Sequence, residues 1–221
     1  MNSGLWLTLW LSLRISVSAT LLALVVALPL AYINARSRYW GKSLLEGLII
    51  VPMVLPPTVV GYLIISSLGV KGWLGQYLHQ WFSYSILFRI EGAILAAAIV
   101  AMPLLYLPTR AAFAAIERDM EDVARVMGAN RFQLFWHVSL PMAMRGLLSG
   151  VMLAFARALG EFGATVMVFG IRMNQTTLPV SIYLDYEQGE MQKALAAVSL
   201  LCFVSLAITL LYNRSALSRQ R

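Results

Sequence analysis

Charged residues are scarce in this chain, and four long stretches contain none. Only 12% of the 221 residues are Asp, Glu, Lys or Arg, against roughly 25% in ordinary soluble domains. The uncharged stretches are 15–35, 47–70, 92–109 and 194–213, and each has about the 17 to 25 residues that cross a bilayer as a helix. The pattern excludes a soluble globular protein and predicts four membrane-spanning helices.

A fifth apolar run, from about 140 to 166, carries only Arg145, Arg157 and Glu161. Spanning helices tolerate such groups where these face the protein interior, so we count this run as a span. We expect an all-α integral membrane protein of about five spans that forms one domain over residues 1–221. The first run is too long for the apolar core of a cleaved signal peptide, which favours an uncleaved anchor.

Cysteine, histidine and nucleotide-binding motifs are also nearly missing. Cys202 is the sole cysteine, so no internal disulfide can form. His79 and His137 each lack a second ligand at metal-site spacing. Gly41-Lys42-Ser43 resembles the end of a phosphate-binding loop, but the first glycine of that motif would fall at Arg36. We expect no ATPase activity, no other enzymatic activity, no metal and no cofactor.

Lysine and arginine predict the orientation in the membrane, because they are enriched in cytoplasmic loops. With the amino terminus outside, the inner segments carry Arg36, Arg38, Lys42, Arg110, Arg118, Arg125, Arg131, Arg145, Arg214, Arg219 and Arg221, and the outer segments carry Lys71, Arg89, Arg172 and Lys193. This bias predicts a periplasmic amino terminus and a cytoplasmic carboxy terminus. The net charge of +7 then faces mostly the cytoplasm and requires no nucleic acid partner.

The second span contains Pro52, Pro56 and Pro57. Two adjacent prolines remove two backbone donors and push the preceding residue out of helical geometry, which predicts a break near mid-membrane. Free backbone groups at that depth are tolerated inside protein or beside a water-filled cavity. Pro56, Pro57 and Thr58 are therefore candidates for lining a pathway, and a kink that serves only packing is the alternative.

The fourth span carries two further signals. Gly146-Leu-Leu-Ser-Gly150 is a small-xxx-small pattern that lets two helices approach closely. Arg157 and Glu161 are four residues apart, so we expect them on one helical face as an ion pair. A structural pair is the first interpretation, and a role in the pathway or its gate is the second.

Between the third and fourth spans, a charged segment must leave the hydrocarbon. Six of the nine residues from Glu117 to Arg125 are charged. Gly128 is suited to the left-handed conformation that ends many helices. Asn130 and Gln133 resemble a capping box, which would start a new short helix. We therefore expect the chain to reverse at Gly128.

The new short helix carries three large aromatic residues, with a proline after them. Phe132, Phe135 and Trp136 have the spacing of one helical face, and Pro141 is placed to open the next membrane helix. Three large apolar groups on a short cytoplasmic helix need a covering surface. Taken alone, the pattern fits a lipid surface or a groove in a protein partner.

The spacing of this segment resembles a known family. Asp122-Val-Ala124, three residues, Gly128, nine residues, Val138, one residue and Leu140-Pro141 is similar to the Glu-Ala-Ala signature of bacterial ABC importer permeases. The resemblance implies that a cytoplasmic ATPase docks here. The residues it assigns to coupling, with their apolar neighbours, are Glu121, Asp122, Ala124, Gly128, Phe132, Phe135, Trp136, Val138, Leu140 and Pro141.

Other runs resemble the molybdate permeases of that family. They are Leu55-Pro-Pro-Thr-Val-Val-Gly-Tyr-Leu63, Ala154-Phe-Ala-Arg-Ala-Leu-Gly-Glu-Phe-Gly-Ala164 and Gly69-Val-Lys-Gly-Trp-Leu-Gly75. The resemblance implies an importer of molybdate, and of tungstate as a congener, in the bacterial inner membrane. It implies as partners a second copy of the chain, two ATPase subunits and a periplasmic molybdate-binding protein.

Two alternatives remain from the sequence. Sulfate and thiosulfate permeases share parts of the same pattern. A secondary carrier or channel would need no ATPase, but it predicts inverted repeats, and the sequence has none that is evident.

Overall fold

The computed structural model describes residues 2–171 and 176–217, and every regular element within them is helical. The helices are α1 Asn2–Arg36, α2 Lys42–Val54, α3 Pro57–Leu68, α4 Gly75–Phe82, α5 Ile90–Ala114, α6 Arg118–Val126, α7 Arg131–Leu134, α8 Leu140–Leu159, α9 Gly163–Phe169, α10 Leu178–Glu187 and α11 Met191–Leu217, with a π-helical turn at Phe135–Ser139 between α7 and α8. The expected all-α class is confirmed.

Among the described residues, four helical stretches are long and apolar enough to cross a bilayer, namely Gly4–Arg36, Ile90–Ala114, Arg131–Leu159 and Met191–Leu210. The pair α2 and α3 makes a fifth candidate span with a bend of 118° between its halves. The predicted break is confirmed, because Leu55 is extended and α3 begins at Pro57.

Contacts with α5 show where the two halves of the bent pair lie. Glu46 of α2 lies 2.8 Å from Nε of Arg110, near the end of α5. Ile64 of α3 belongs to a buried cluster with Leu87 and Ala96, at the beginning of α5. The start of α2 thus lies near the end of α5, and α3 lies near the beginning of α5, so the described residues contain four or five candidate spans. Arg172, Arg219 and Arg221 of the charge count lie outside the described residues.

Small residues build the core around α5. Buried alanines recur every fourth residue at Ala19, Ala23, Ala27 and Ala31 of α1 and at Ala93, Ala97 and Ala101 of α5, where Ala96 and Ala98 are buried as well. Gly150 of α8 is pressed on α5, since a Cβ there would meet the Leu105 carbonyl oxygen at 2.7 Å. A Cβ on Gly146 would meet the Pro108 carbonyl oxygen at 2.8 Å. The small-xxx-small pattern thus packs within the chain.

Pro141 lies in the first turn of α8, as expected. The chain is nevertheless helical before it, because α7, the π turn and α8 run on without interruption from Arg131 to Leu159. The expected end of the fourth span is wrong, because the helix does not reach residue 166. It ends at Leu159, and α9 starts separately at Gly163.

Candidate functional site

The charged segment, defined here as residues 117–141, folds as the local signals indicate. Gly128 has φ +90°. Its N–H donates to the Arg125 carbonyl at 2.9 Å, and the Ala129 N–H donates to the Ala124 carbonyl at 3.0 Å. This pair of bonds is a Schellman motif, which satisfies the last carbonyl groups of α6. The predicted left-handed residue at Gly128 is confirmed.

The next helix starts with the predicted capping box. The Asn130 side chain accepts the Gln133 N–H at 2.8 Å, and the Gln133 side chain accepts the Asn130 N–H at 2.9 Å. The two donors would otherwise be free at the helix start. Together with the Schellman motif, the box fixes a sharp reversal between α6 and α7.

Glu121 was expected on the docking surface, but it faces the interior and is only 4% exposed. Its Oε1 lies 2.8 Å from Nη2 of Arg36 at the end of α1. Ser139 Oγ donates to the same oxygen at 2.9 Å. Arg36 Nη1 also donates to the Ile116 carbonyl at 3.0 Å. The sequence places Glu121 on a charged helix, and nothing near it in the sequence indicates that it pairs with Arg36 of α1 in the interior.

The three aromatic residues do not share one outer surface. Phe135 packs inward, with its ring centroid 4.9 Å from Tyr32 and 6.2 Å from Phe113. Phe132 and Trp136 are 72% and 48% exposed. The π turn begins at Phe135 and changes the helical register there. Of the remaining assigned residues, Leu140 is buried, Ala124 and Val138 are half-buried, and Asp122, Gly128 and Pro141 are exposed.

The outer surface of α6 is apolar to a degree that the charge count concealed. Val126 and Met127 are 88% and 83% exposed. They line a shallow groove of about 330 Å³ together with Val123, Asp119 and Asp122. Val123, Val126 and Met127 are absent from the predicted coupling residues because the six charges dominate the segment in the sequence. The apolar spacing of Val123, Val126 and Met127 could have indicated it.

A second group of candidates meets at the helix-break site, defined here as residues 55–58 with residues 157–164. A Cβ on Gly163 would lie 3.2 Å from Pro57 Cβ and from the Thr58 backbone nitrogen. One turn further, a Cβ on Gly61 would lie 2.7 Å from Met167 Cβ. The helices α3 and α9 thus start side by side and run in the same direction. The Thr58 residue is exposed beside this junction.

Arg157 and Glu161 form the predicted ion pair, with Nη1 and Oε2 2.6 Å apart. The expected geometry was wrong, because Glu161 lies beyond the end of α8 and not on its face. The other carboxylate oxygen accepts the Ala164 N–H at 2.8 Å. A carboxylate that satisfies a first-turn donor stabilises a new helix start. This explains why the helix breaks within a continuous apolar run.

The charged segment and the helix-break site lie at opposite ends of one helical stretch. Arg131–Leu159 is continuous over 29 residues, which corresponds to about 43 Å at a rise of about 1.5 Å per residue. A displacement at Arg131 can therefore reach Arg157 without crossing a flexible joint. The arrangement suits mechanical transmission along one helix.

Residues 19–218 match the family model described as binding-protein-dependent transport system inner membrane component. The chain belongs to this family. The sequence resemblance to ABC importer permeases is thereby confirmed. Membership in this family argues against the alternative of a secondary carrier or channel that works without an ATPase.

Several relatives of this chain are named as permease proteins of molybdenum transport systems. The chain is 38% identical over 185 residues to the molybdenum transport system permease protein ModB of Haemophilus influenzae, covering 83% of this chain and 81% of that protein. It is 39% identical over 179 residues to the putative molybdenum transport system permease protein YvgM of Bacillus subtilis, covering 80% and 78%. The sulfate transport system permease protein CysW of Synechocystis is 32% identical over 182 residues, covering 82% and 66%.

Solved structures share the fold at lower identity. A chain of the bacterial alginate ABC transporter in complex with a pentasaccharide-bound periplasmic protein has a TM-score of 0.75 at 17% identity, over 97% of this chain and 78% of that chain. A chain of the inward-facing MetNI methionine ABC transporter has a TM-score of 0.72 at 17% identity, over 100% of both chains. These likenesses concern the fold alone.

Proposed function

We propose that this chain is the membrane-spanning permease subunit of an ATP-driven importer for molybdate, with tungstate as a congener. The reversal at Gly128 supports the proposed coupling to an ATPase. It places the apolar groove of α6 beside the start of the helical stretch that runs unbroken from Arg131 to the helix-break site. The 38% sequence identity to a molybdenum transport permease supports molybdate as the substrate.

The ATP-hydrolysing partner docks on the outer surface of the charged segment. Val126, Met127 and Phe132 supply the apolar contact, and Asp122 supplies a negative rim. Exposed apolar groups of this size mark a binding surface in proteins. The chain itself carries no phosphate-binding loop, so the energy comes from the partner. This surface therefore faces the cytoplasm, as the lysine and arginine bias predicts.

The anion crosses at the helix-break site. The start of α3 carries a partial positive charge, although Val59 and Val60 already donate to the Pro56 carbonyl, and Thr58 adds a hydroxyl. Arg157 is neutralised by Glu161 at 2.6 Å, so no strong cation holds a dianion there. Weak binding allows release, and the affinity resides in a periplasmic molybdate-binding protein. A second copy of the chain completes the pathway from the other side.

Sulfate is the second candidate substrate, because a sulfate permease is 32% identical over 182 residues. Both anions are tetrahedral and doubly charged, so the helix-break site alone does not separate them. Uptake of labelled molybdate and sulfate in cells that lack the chain distinguishes the two. Loss of molybdate uptake, restored by a plasmid copy, supports the proposal. Loss of sulfate uptake with molybdate uptake unchanged replaces molybdate by sulfate.

A further inference from the structure

We propose that the buried pair Arg36–Glu121 is the link that fixes α6 to the membrane core, so that force received on α6 moves α1 and α8 with it. The inference rests on the proposed function, since it assumes that α6 receives the ATPase. It assigns Glu121 a positioning role inside the molecule in place of the expected contact with the partner.

The link joins four parts of the chain at one carboxylate and one guanidinium. Glu121 Oε1 contacts Arg36 Nη2 at 2.8 Å and accepts from Ser139 Oγ at 2.9 Å. Arg36 Nη1 donates to the Ile116 carbonyl at 3.0 Å. The side chains of Arg36 and Glu121 are 14% and 5% exposed. The end of α1, the α5–α6 connection, α6 and the start of α8 therefore converge here.

The link matters because α6 has no buried apolar residue of its own. Glu121 is the one buried residue among those of α6. The large apolar residues of this helix, Met120, Val123 and Val126, are 53%, 59% and 88% exposed. The helix is therefore amphipathic with its apolar side outward, and its inward contact is ionic. An ionic contact with fixed hydrogen-bond partners resists sliding, whereas apolar side chains can repack.

One other charge approaches the carboxylate. Arg125 Nη2 lies 4.0 Å from Glu121 Oε2, and that side chain is 58% exposed. It is also 3.0 Å from Asp122 on the outer surface. Solvent screens this contact, so it cannot replace Arg36. Removing Glu121 leaves the buried Arg36 without its counter-charge, which is the unfavourable case for a buried ion pair.

The test uses the complete complex of this chain, its ATPase subunits and the binding protein in liposomes. We expect Glu121→Gln to assemble with the ATPase and hydrolyse ATP, but to import about tenfold less molybdate per ATP, because α6 moves without the core. The reversal Arg36→Glu with Glu121→Arg should restore most of that ratio. Glu190→Gln breaks an exposed pair with Lys193 at 2.7 Å and serves as the matched control with an unchanged ratio.

A purely structural role would reduce uptake and ATP hydrolysis in proportion, so an unchanged ratio in Glu121→Gln overturns the link. If that variant does not yield folded protein, Ser139→Ala keeps the ion pair and removes one hydrogen bond. It should raise amide hydrogen exchange over 118–127 about threefold. Unchanged exchange there also overturns the link. Failure of the unmodified complex to import molybdate contradicts the proposed function instead, and the exchange measurement still decides the link.

Discussion

Replacing Gly128 isolates the backbone strain of the reversal from any steric effect. The residue has φ +90°, and a Cβ built on it meets nothing within 4 Å. Side chains can therefore be added without a clash, and the cost is conformational. An L residue in the left-handed region costs about 1–2 kcal/mol, and a β-branched residue is still less suited to it.

We expect molybdate uptake to fall least with Asn at position 128, more with Ala and most with Val, because Asn tolerates positive φ. A cost of about 1–2 kcal/mol reduces the population of the correct turn about 5- to 30-fold relative to its alternatives. We therefore expect Gly128→Val to insert normally but to abolish most uptake, and Gly128→Asn to retain most of it. The assay is ATP-dependent uptake of labelled molybdate, with the amount of inserted chain measured in parallel.

Gly189 supplies the matched control. It has φ +74°, and a Cβ built on it also meets nothing within 4 Å, but it lies between α10 and α11 and is not part of the charged segment. Gly189→Val carries the same kind of strain and should leave transport nearly unchanged. Normal uptake with Gly128→Val would refute the reasoning. Equal losses with Asn and Val at position 128 would also refute it, since left-handed strain would then not be the cause.

Three further predictions concern packing, topology and the pathway. Gly150→Ala should lower the unfolding temperature in detergent, because its Cβ would lie 2.7 Å from a carbonyl oxygen and overpacking costs about 1–3 kcal/mol. Gly47→Ala is the control and should leave the unfolding temperature unchanged, because a Cβ there meets nothing within 4 Å. Equal shifts in the two variants would contradict this prediction. In a cysteine-free background, a cysteine at Gln188 should react with an impermeant thiol reagent from outside, whereas labelling of one at Ser218 in intact cells would overturn the orientation. Thr58→Val should lower molybdate uptake about two- to threefold through one lost hydrogen bond, and an unchanged rate would remove Thr58 from the pathway.

Features set by neighbouring residues could be predicted from the sequence. The break at Pro56 and Pro57 follows from two missing N–H groups, and the reversal follows from Gly128 and the Asn130–Gln133 box. Each depends on residues within a few positions of one another. Their physical cause is present in any chain that contains them.

Features set by distant contacts could not be predicted in this way. Glu121 turns inward because Arg36, which is far away in the sequence, reaches it from α1. Phe135 turns inward because Tyr32 and Phe113 form a pocket for its ring. The helix break at Glu161 escaped the hydropathy pattern, since the surrounding run stays apolar while a single carboxylate caps α9.

The central claim is that this chain transmits the work of an ATPase to an oxyanion pathway. The most direct measurement is molybdate uptake by liposomes that contain the chain and its ATPase subunits, with the binding protein outside. We expect uptake that requires ATP hydrolysis, and loss of both uptake and ATPase attachment when Val126, Met127 and Phe132 are all replaced by Ser. Molybdate uptake that continues without ATPase subunits would contradict the account.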